Sequence, residues 1–282
     1  MAGGSVVNAL MSFNRTFRLG GAVAALAACV ACAPQTRNIV PAGTSEPDKF
    51  LFDKGETALK AKKWITSREY FKQVVETYTQ SPYRPDAKLG VADTYLEEGG
   101  ADNLVFAISE FREFLSFYPL NPRADYAQYK LGVAHFRQMR AAPRDQSETR
   151  DAIKEFQTFV TRYPNSSLMP DAKAKLRESQ DRLAEADYLV GMFYYRQKWY
   201  PGSIERFKSL LKSDPDYTKR DNVYFYLAES YVKGTNAQAQ AQARAQALPL
   251  YEKLVNEFQK SEHLQDAQKR IAELKAQAAN KS

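Results

Sequence analysis

Few side chains in this sequence are placed to do covalent chemistry, and the most pointed is a cysteine near the N-terminus. Leu26-Ala27-Ala28-Cys29 sets small residues directly before a thiol. That is the pattern at which a bacterial lipoprotein precursor is cut, leaving an acylated cysteine as the mature N-terminus. Cys32 is the competing site, but the triplet before it, Cys29-Val30-Ala31, carries Cys where the motif prefers Leu. A third reading is an ordinary signal peptide cut after an alanine. Arg15 and Arg18 precede a ten-residue apolar and small run, Leu19–Ala28. A bilayer span needs about 20 residues, so this run is a secretory signal. Residues 1–28 therefore read as a lipoprotein signal peptide, with Met11 as an alternative start. Residues 29–47 read as a lipidated N-terminus and a Pro/Thr/Ser tether. Acyl chains at Cys29 would hold the protein on a membrane at about 0.8 kcal/mol per buried methylene. The remainder has no long apolar run and reads as a soluble periplasmic body.

Elsewhere the chemistry is sparse. The 282 residues hold two His and two Cys. No HExxH, GxSxG, Walker or dinucleotide glycine pattern occurs. His135 and His263 have no second ligand close in sequence, so each reads as a packing or surface histidine. A net charge of +7 is spread with Lys and Arg alternating with Asp and Glu, which leaves no phosphate-tracking stripe for nucleic acid. These absences predict a non-enzymatic protein with no catalytic residue, cofactor or metal site. The aromatic cluster Phe193, Tyr194, Tyr195, Trp199 and Tyr200 could dock a protein. Its helical spacing favours a place in the core instead.

The body must position whatever binds, and it is built from repeats. Ala107–Pro119 (AISEFREFLSFYP) and Ala152–Pro164 (AIKEFQTFVTRYP) share seven of thirteen positions. Further copies start at Ser67, Ser203 and Ala247. Each opens on a small residue, followed four, seven and eight positions later by apolar ones: the stripe of one helix face. A second helical segment precedes each copy: Phe50–Lys62, Pro85–Glu97, Ala124–Met139, Ala186–Gln197 and Asp221–Lys233. Small residues inside them, Gly55, Gly90, Gly132 and Gly191 among them, let the paired helix approach. Gly55 to Ser67 and Gly191 to Ser203 both show the twelve-residue small-to-small spacing of tetratricopeptide repeats. The copies lie farther apart than that repeat's 34-residue period, so loops or longer helices take up the excess. Glu98–Asn103 and Ala141–Arg150 read as polar insertions. Asp171–Glu185 runs into the next segment as one helix of about 25 residues. Asn236–Gln246 reads as helix or loop, and Glu262–Ala279 as a polar capping helix. The expected fold is all-α: a superhelical solenoid of about five tetratricopeptide-like helix pairs with a C-terminal cap. The long helix divides it into lobes at 48–170 (repeats 1–3) and 171–282 (repeats 4–5 and cap). Such a surface suits protein segments.

Signal, tether and five degenerate repeats together resemble the BamD family of outer-membrane assembly lipoproteins. The resemblance is carried by Asp125-Tyr126-Ala127-x-Tyr129 with Gly132, by Thr161-Arg162-Tyr163-Pro164-Asn165-Ser166 followed by Asp171-Ala172, and by Asp181-Arg182-Leu183-Ala184 with Tyr188 and Tyr194-Tyr195. It covers residues 26 to about 235, and the C-terminal stretch agrees in type rather than in letters. The resemblance implies a scaffold on the periplasmic face of the outer membrane. Its N-terminal repeats would receive unfolded outer-membrane β-barrel proteins, and its C-terminal repeats would dock BamA-type POTRA domains, alongside other assembly lipoproteins. Arg206, in Ser203-Ile204-Glu205-Arg206, stands where the family meets that partner. The competing readings are a Tol-Pal-type periplasmic adaptor, which also carries AIxxFxxFxxxYP repeats, and an enzyme on a helical superhelix, for which no separate catalytic domain is left over.

Overall fold

The structure, a computed structural model, describes residues 40–234 and 239–279. Cys29, Cys32 and the signal peptide lie outside the described residues. Eleven helices follow one another among those described: α1 Pro47–Lys60, α2 Trp64–Thr77, α3 Arg84–Glu98, α4 Ala101–Phe117, α5 Ala124–Gln138, α6 Ser147–Arg162, α7 Met169–Arg196, α8 Tyr200–Ser213, α9 Arg220–Lys233, α10 Gln240–Glu257 and α11 Leu264–Ala279. Each packs on the next, so neighbours in sequence are neighbours in space. The chain opens its helices in a recurring way. Proline sits in the first two positions of α1, α3, α7 and α8, where its missing N–H costs nothing. An acid occupies the first turn of α3, α5, α7 and α9, against the positive end of the helix dipole.

The repeated stripe forms the core. Ser67/Phe71/Val74, Ala107/Phe111/Phe114, Ala152/Phe156/Phe159, Ser203/Phe207/Leu210 and Ala247/Tyr251/Leu254 are all buried. The residue eight places on is only half-buried in each copy. Small residues set the helix spacing. A Cβ on Gly132 would lie 2.7 Å from Phe156, and one on Gly55 2.6 Å from Phe71. Ser67 closes the same crossing by donating from Oγ to the Gly55 carbonyl at 2.8 Å.

Two expected insertions are shorter than the sequence implied. Ala101–Asn103 belong to α4, and the turn is only Gly99-Gly100, with φ of 72° and 83° that a side chain rarely adopts. Asn103 donates to the Gly99 carbonyl at 2.8 Å and starts the helix. Ser147–Arg150 belong to α6, entered by an Asp145 carboxylate that accepts from the Ser147 amide at 3.0 Å. Gln240–Gln246 extend α10 as helix.

The long helix appears as expected, with 28 residues. It contributes Ala172 to a core shared with α3–α6, and Ala184 and Met192 to a second core shared with α8 and α9. A third cluster joins α9, α10 and α11. The residues that carried the family resemblance tie one pair to the next. Ser166 donates to Asp125 at 2.6 Å, Tyr129 to Asp171, and Tyr126 to both oxygens of Asp93 at 2.9 Å. Asp181 accepts from the Thr218 amide at 3.0 Å.

Candidate functional site

The corner between α7 and α8 carries the most exposed aromatic group of the C-terminal half. Inward-facing positions on α7 run Tyr188, Gly191–Met192 and Tyr195, three to four residues apart. Phe193 and Tyr194 fall off that stripe. Phe193 is 57% exposed and Trp199, at the entry to α8, is 55% exposed. The expectation that these aromatics fill the core is therefore wrong for Phe193 and Trp199. It holds in part for Tyr195, which stacks edge-on against Tyr226 at 5.1 Å and accepts from Lys233 at 2.6 Å. The outer rings form a ladder: Phe193 on Tyr194 at 5.5 Å, and Tyr194 on Trp199 at 4.7 Å, both edge-to-face. Trp199 lies against Gly202, where any Cβ would strike the indole.

Arg206 is exposed on α8. Trp199 caps α8 and its indole lies over Gly202, which stands one turn before Arg206. Across the crossing, burial raises the Asp187 carboxyl above its ordinary range, and the Arg206 charge offsets part of that rise. Glu205 pairs instead with Lys208 at 3.3 Å. From Tyr188 to Ile204 the chain has no acid and carries Arg196 and Lys198. Beside this face, Leu211, Leu227, Tyr231 and Leu250 line a groove of about 890 Å³.

A second exposed aromatic group lies on α2–α4. The Arg68 guanidinium sits 3.6 Å from the centre of the Tyr95 ring, and Phe106, 52% exposed, packs on the same tyrosine at 5.2 Å. Val105 beside it is also exposed.

The histidines are tied into the fold. His135 is buried, with Glu148 at 2.7 Å from Nδ1 and Arg112 at 3.1 Å from Nε2. A guanidinium only donates, so Nε2 accepts and the proton sits on Nδ1, which donates to Glu148. Sequence reading placed no second ligand nearby; Glu148 and Asp151 are in fact close enough to share a cation with it. Arg112, which donates to His135 Nε2 and pairs with Glu155 at 3.7 Å, brings positive charge beside that group. His263 stacks on Phe225 at 4.2 Å and bonds Asn222 at 2.7 Å. Sequence reading also missed Glu229. Burial would raise its carboxyl, but hydrogen bonds from Tyr251, Lys233 and Arg270 outweigh burial and hold it below the ordinary range. Lys233 lies one turn along the same helix, but Tyr251 and Arg270 come from α10 and α11, which no local pattern reveals.

Helices packed in consecutive pairs around a repeated small-and-aromatic stripe define a helical-repeat protein of tetratricopeptide type. Solved structures of such folds include the TPR2AB domain of yeast Sti1 in complex with pHSP90, at 12% identity and TM-score 0.40 over 81% of this chain and 98% of that one. The MamA protein matches at 18% identity and TM-score 0.33, over 76% of this chain and 97% of that one.

The chain belongs to the outer membrane lipoprotein family described by the YfiO model, which matches residues 44–246. Among its relatives is the outer membrane protein assembly factor BamD of Caulobacter vibrioides, 27% identical over 78% of this chain and 71% of that protein. BamD of Xylella fastidiosa (strain 9a5c) is 26% identical over 66% of each chain, and that of Vibrio cholerae 26% over 60% of this chain and 73% of its own. The family is one of non-enzymatic repeat scaffolds. No described helix is long and apolar enough to cross a membrane.

Proposed function

We propose that this protein is a lipid-anchored scaffold of the outer-membrane β-barrel assembly machinery, held on the periplasmic face by acyl chains on Cys29. In this reading repeats 1–3 (48–170) receive unfolded barrel proteins, whose extended segments suit the exposed Tyr95–Phe106 group. Repeats 4–5 with the cap (171–282) dock a BamA-type POTRA domain through the face that carries Arg206, and other assembly lipoproteins have the remaining surface.

The observation that supports this reading most is the α7–α8 face. Arg206 and Trp199, at the entry to the same helix, are both exposed rather than tied into the repeat core. Arginine and tryptophan are the residues that most often dominate protein contacts. The test is co-purification of the barrel-forming subunit with the tagged, lipidated chain from solubilised envelopes. The subunit should be retained with the natural sequence and lost with Arg206→Glu. Full retention with Arg206→Glu would overturn the assignment.

A further inference from the structure

We propose that Trp199 and Phe193 are the apolar anchor of the contact made by the Arg206 face, and that they seat in an apolar recess on a protein partner whose rim carries carboxylates. The proposal rests on the reading of that face as a partner site, and adds what the partner surface must look like.

Three features of the corner carry it. The two side chains are more than half exposed and form a joined apolar patch rather than single exposed residues. Their rings are already fixed by edge-to-face packing through Tyr194, so docking them orders few further rotors. The turn that presents them is equally fixed: the Trp199 amide donates to the Tyr194 carbonyl and the Lys198 amide to the Tyr195 carbonyl, both at 3.0 Å. The surrounding charge selects the partner. Arg196 and Lys198 lie between Tyr194 and Trp199 in sequence, Arg206 follows on α8, and the stretch from Tyr188 to Ile204 contains no acid. A rigid aromatic centre with basic residues beside it complements an apolar recess edged by Asp or Glu.

Trp, Tyr and basic residues also suit a lipid headgroup layer. Here, however, Asp187 lies across the crossing from Arg206, and Glu205 precedes it and pairs with Lys208. Carboxylates beside the basic groups weaken the pull of a uniformly anionic lipid surface, whereas a protein rim can set its carboxylates against Arg206 and away from them. The protein partner is therefore favoured.

The experiment measures the affinity of the full, lipidated chain in detergent for the purified POTRA domains of the barrel-forming subunit. Trp199→Ser and Phe193→Ser should each weaken binding by about tenfold or more, while Trp199→Phe keeps most of it. Because both side chains are more than half exposed, the variants should stay folded with an unchanged circular dichroism spectrum. Arg206→Glu is measured in parallel. If it weakens binding while the serine variants bind normally, the anchor is overturned and the Arg206 site stands. If none of the three weakens binding, both fail. A second arm places a Trp64→Phe chain, whose remaining tryptophan is Trp199, in vesicles containing brominated phosphatidylglycerol without the partner. The indole should remain unquenched; strong quenching would make the ladder a lipid contact and overturn the proposal.

Discussion

Lys62 and Lys198 hold the same corner of two different helix pairs, and both sit in left-handed backbone, with φ of 56° and 58°. Each lies seven residues after a buried glycine (Gly55, Gly191) and five before a buried serine (Ser67, Ser203). At both corners the chain reverses within three residues, and the lysine takes a positive φ in that reversal. An L-residue in this conformation loses about 1–2 kcal/mol that glycine does not, offset in part by glycine's greater freedom when unfolded.

Lys62→Gly and Lys198→Gly should therefore each stabilise the fold by about 0.5–1 kcal/mol. The corners are far apart in the array, so the two gains should add. Denaturant melts of both single variants and the double variant check this. A loss of stability in either would contradict the strain assigned to that corner.

The core offers a sharper pair of changes. Phe111→Ala and Phe156→Ala remove fully buried rings and should each cost about 3–5 kcal/mol. Gly132→Ala pushes a methyl into the Phe156 ring and should cost about 1–3 kcal/mol. Repeat arrays couple to their neighbours, so hydrogen exchange should quicken in the adjoining pair as well. Unchanged melting of Phe111→Ala would remove the helix-pair packing described for α3–α5.

Much of this architecture was legible because it repeats. The small residue and the aromatic four places on specify a helix face, and five copies of them specify a stack. The length of α7 was readable because Asp171–Glu185 has neither glycine nor proline to stop it. The outward turn of Phe193 and Trp199 was not readable. Periodicity groups residues into stripes, but which stripe meets a neighbour depends on how the helix is rotated, and here Gly191 and Met192 took the inward place. His135–Glu148 and Glu229–Arg270 were hidden for a different reason: their members are 13 and 41 residues apart and meet only across packed helices.

Asp93 gives the fold a pH dependence. Burial pushes its carboxyl up to about 6, against the opposing effects of the Lys130 charge and the Tyr126 hydrogen bond. The folded state thus holds the proton more tightly than the unfolded chain, whose ordinary value is 3.8. The associated stability is fully present below that value and is lost as pH rises through 6. Asp93→Asn keeps an acceptor for Tyr126 without the buried charge. It should exceed the natural protein in stability at pH 7.5 by up to about 3 kcal/mol, with the difference vanishing near pH 4. An Asn variant equally stable or weaker at pH 7.5 would show that the carboxylate is not penalised by burial.

Anchoring at Cys29 has its own check. Cys29→Ala should leave the precursor unprocessed or release the protein from the membrane fraction, with no acyl mass on the mature chain. Acylation that persists in Cys29→Ala would move the anchor to Cys32.

In the proposed function, the α7–α8 face of this scaffold meets the barrel-forming subunit of the assembly machinery. That contact is tested most directly in living cells, with a photo-crosslinking amino acid placed at position 206 of the lipidated chain and, as a control, at Glu178, elsewhere on the long helix. Position 206 should give an ultraviolet-dependent adduct that contains a POTRA domain of the barrel-forming subunit, and position 178 none. Adducts from position 206 only with other proteins, or with none, would contradict it.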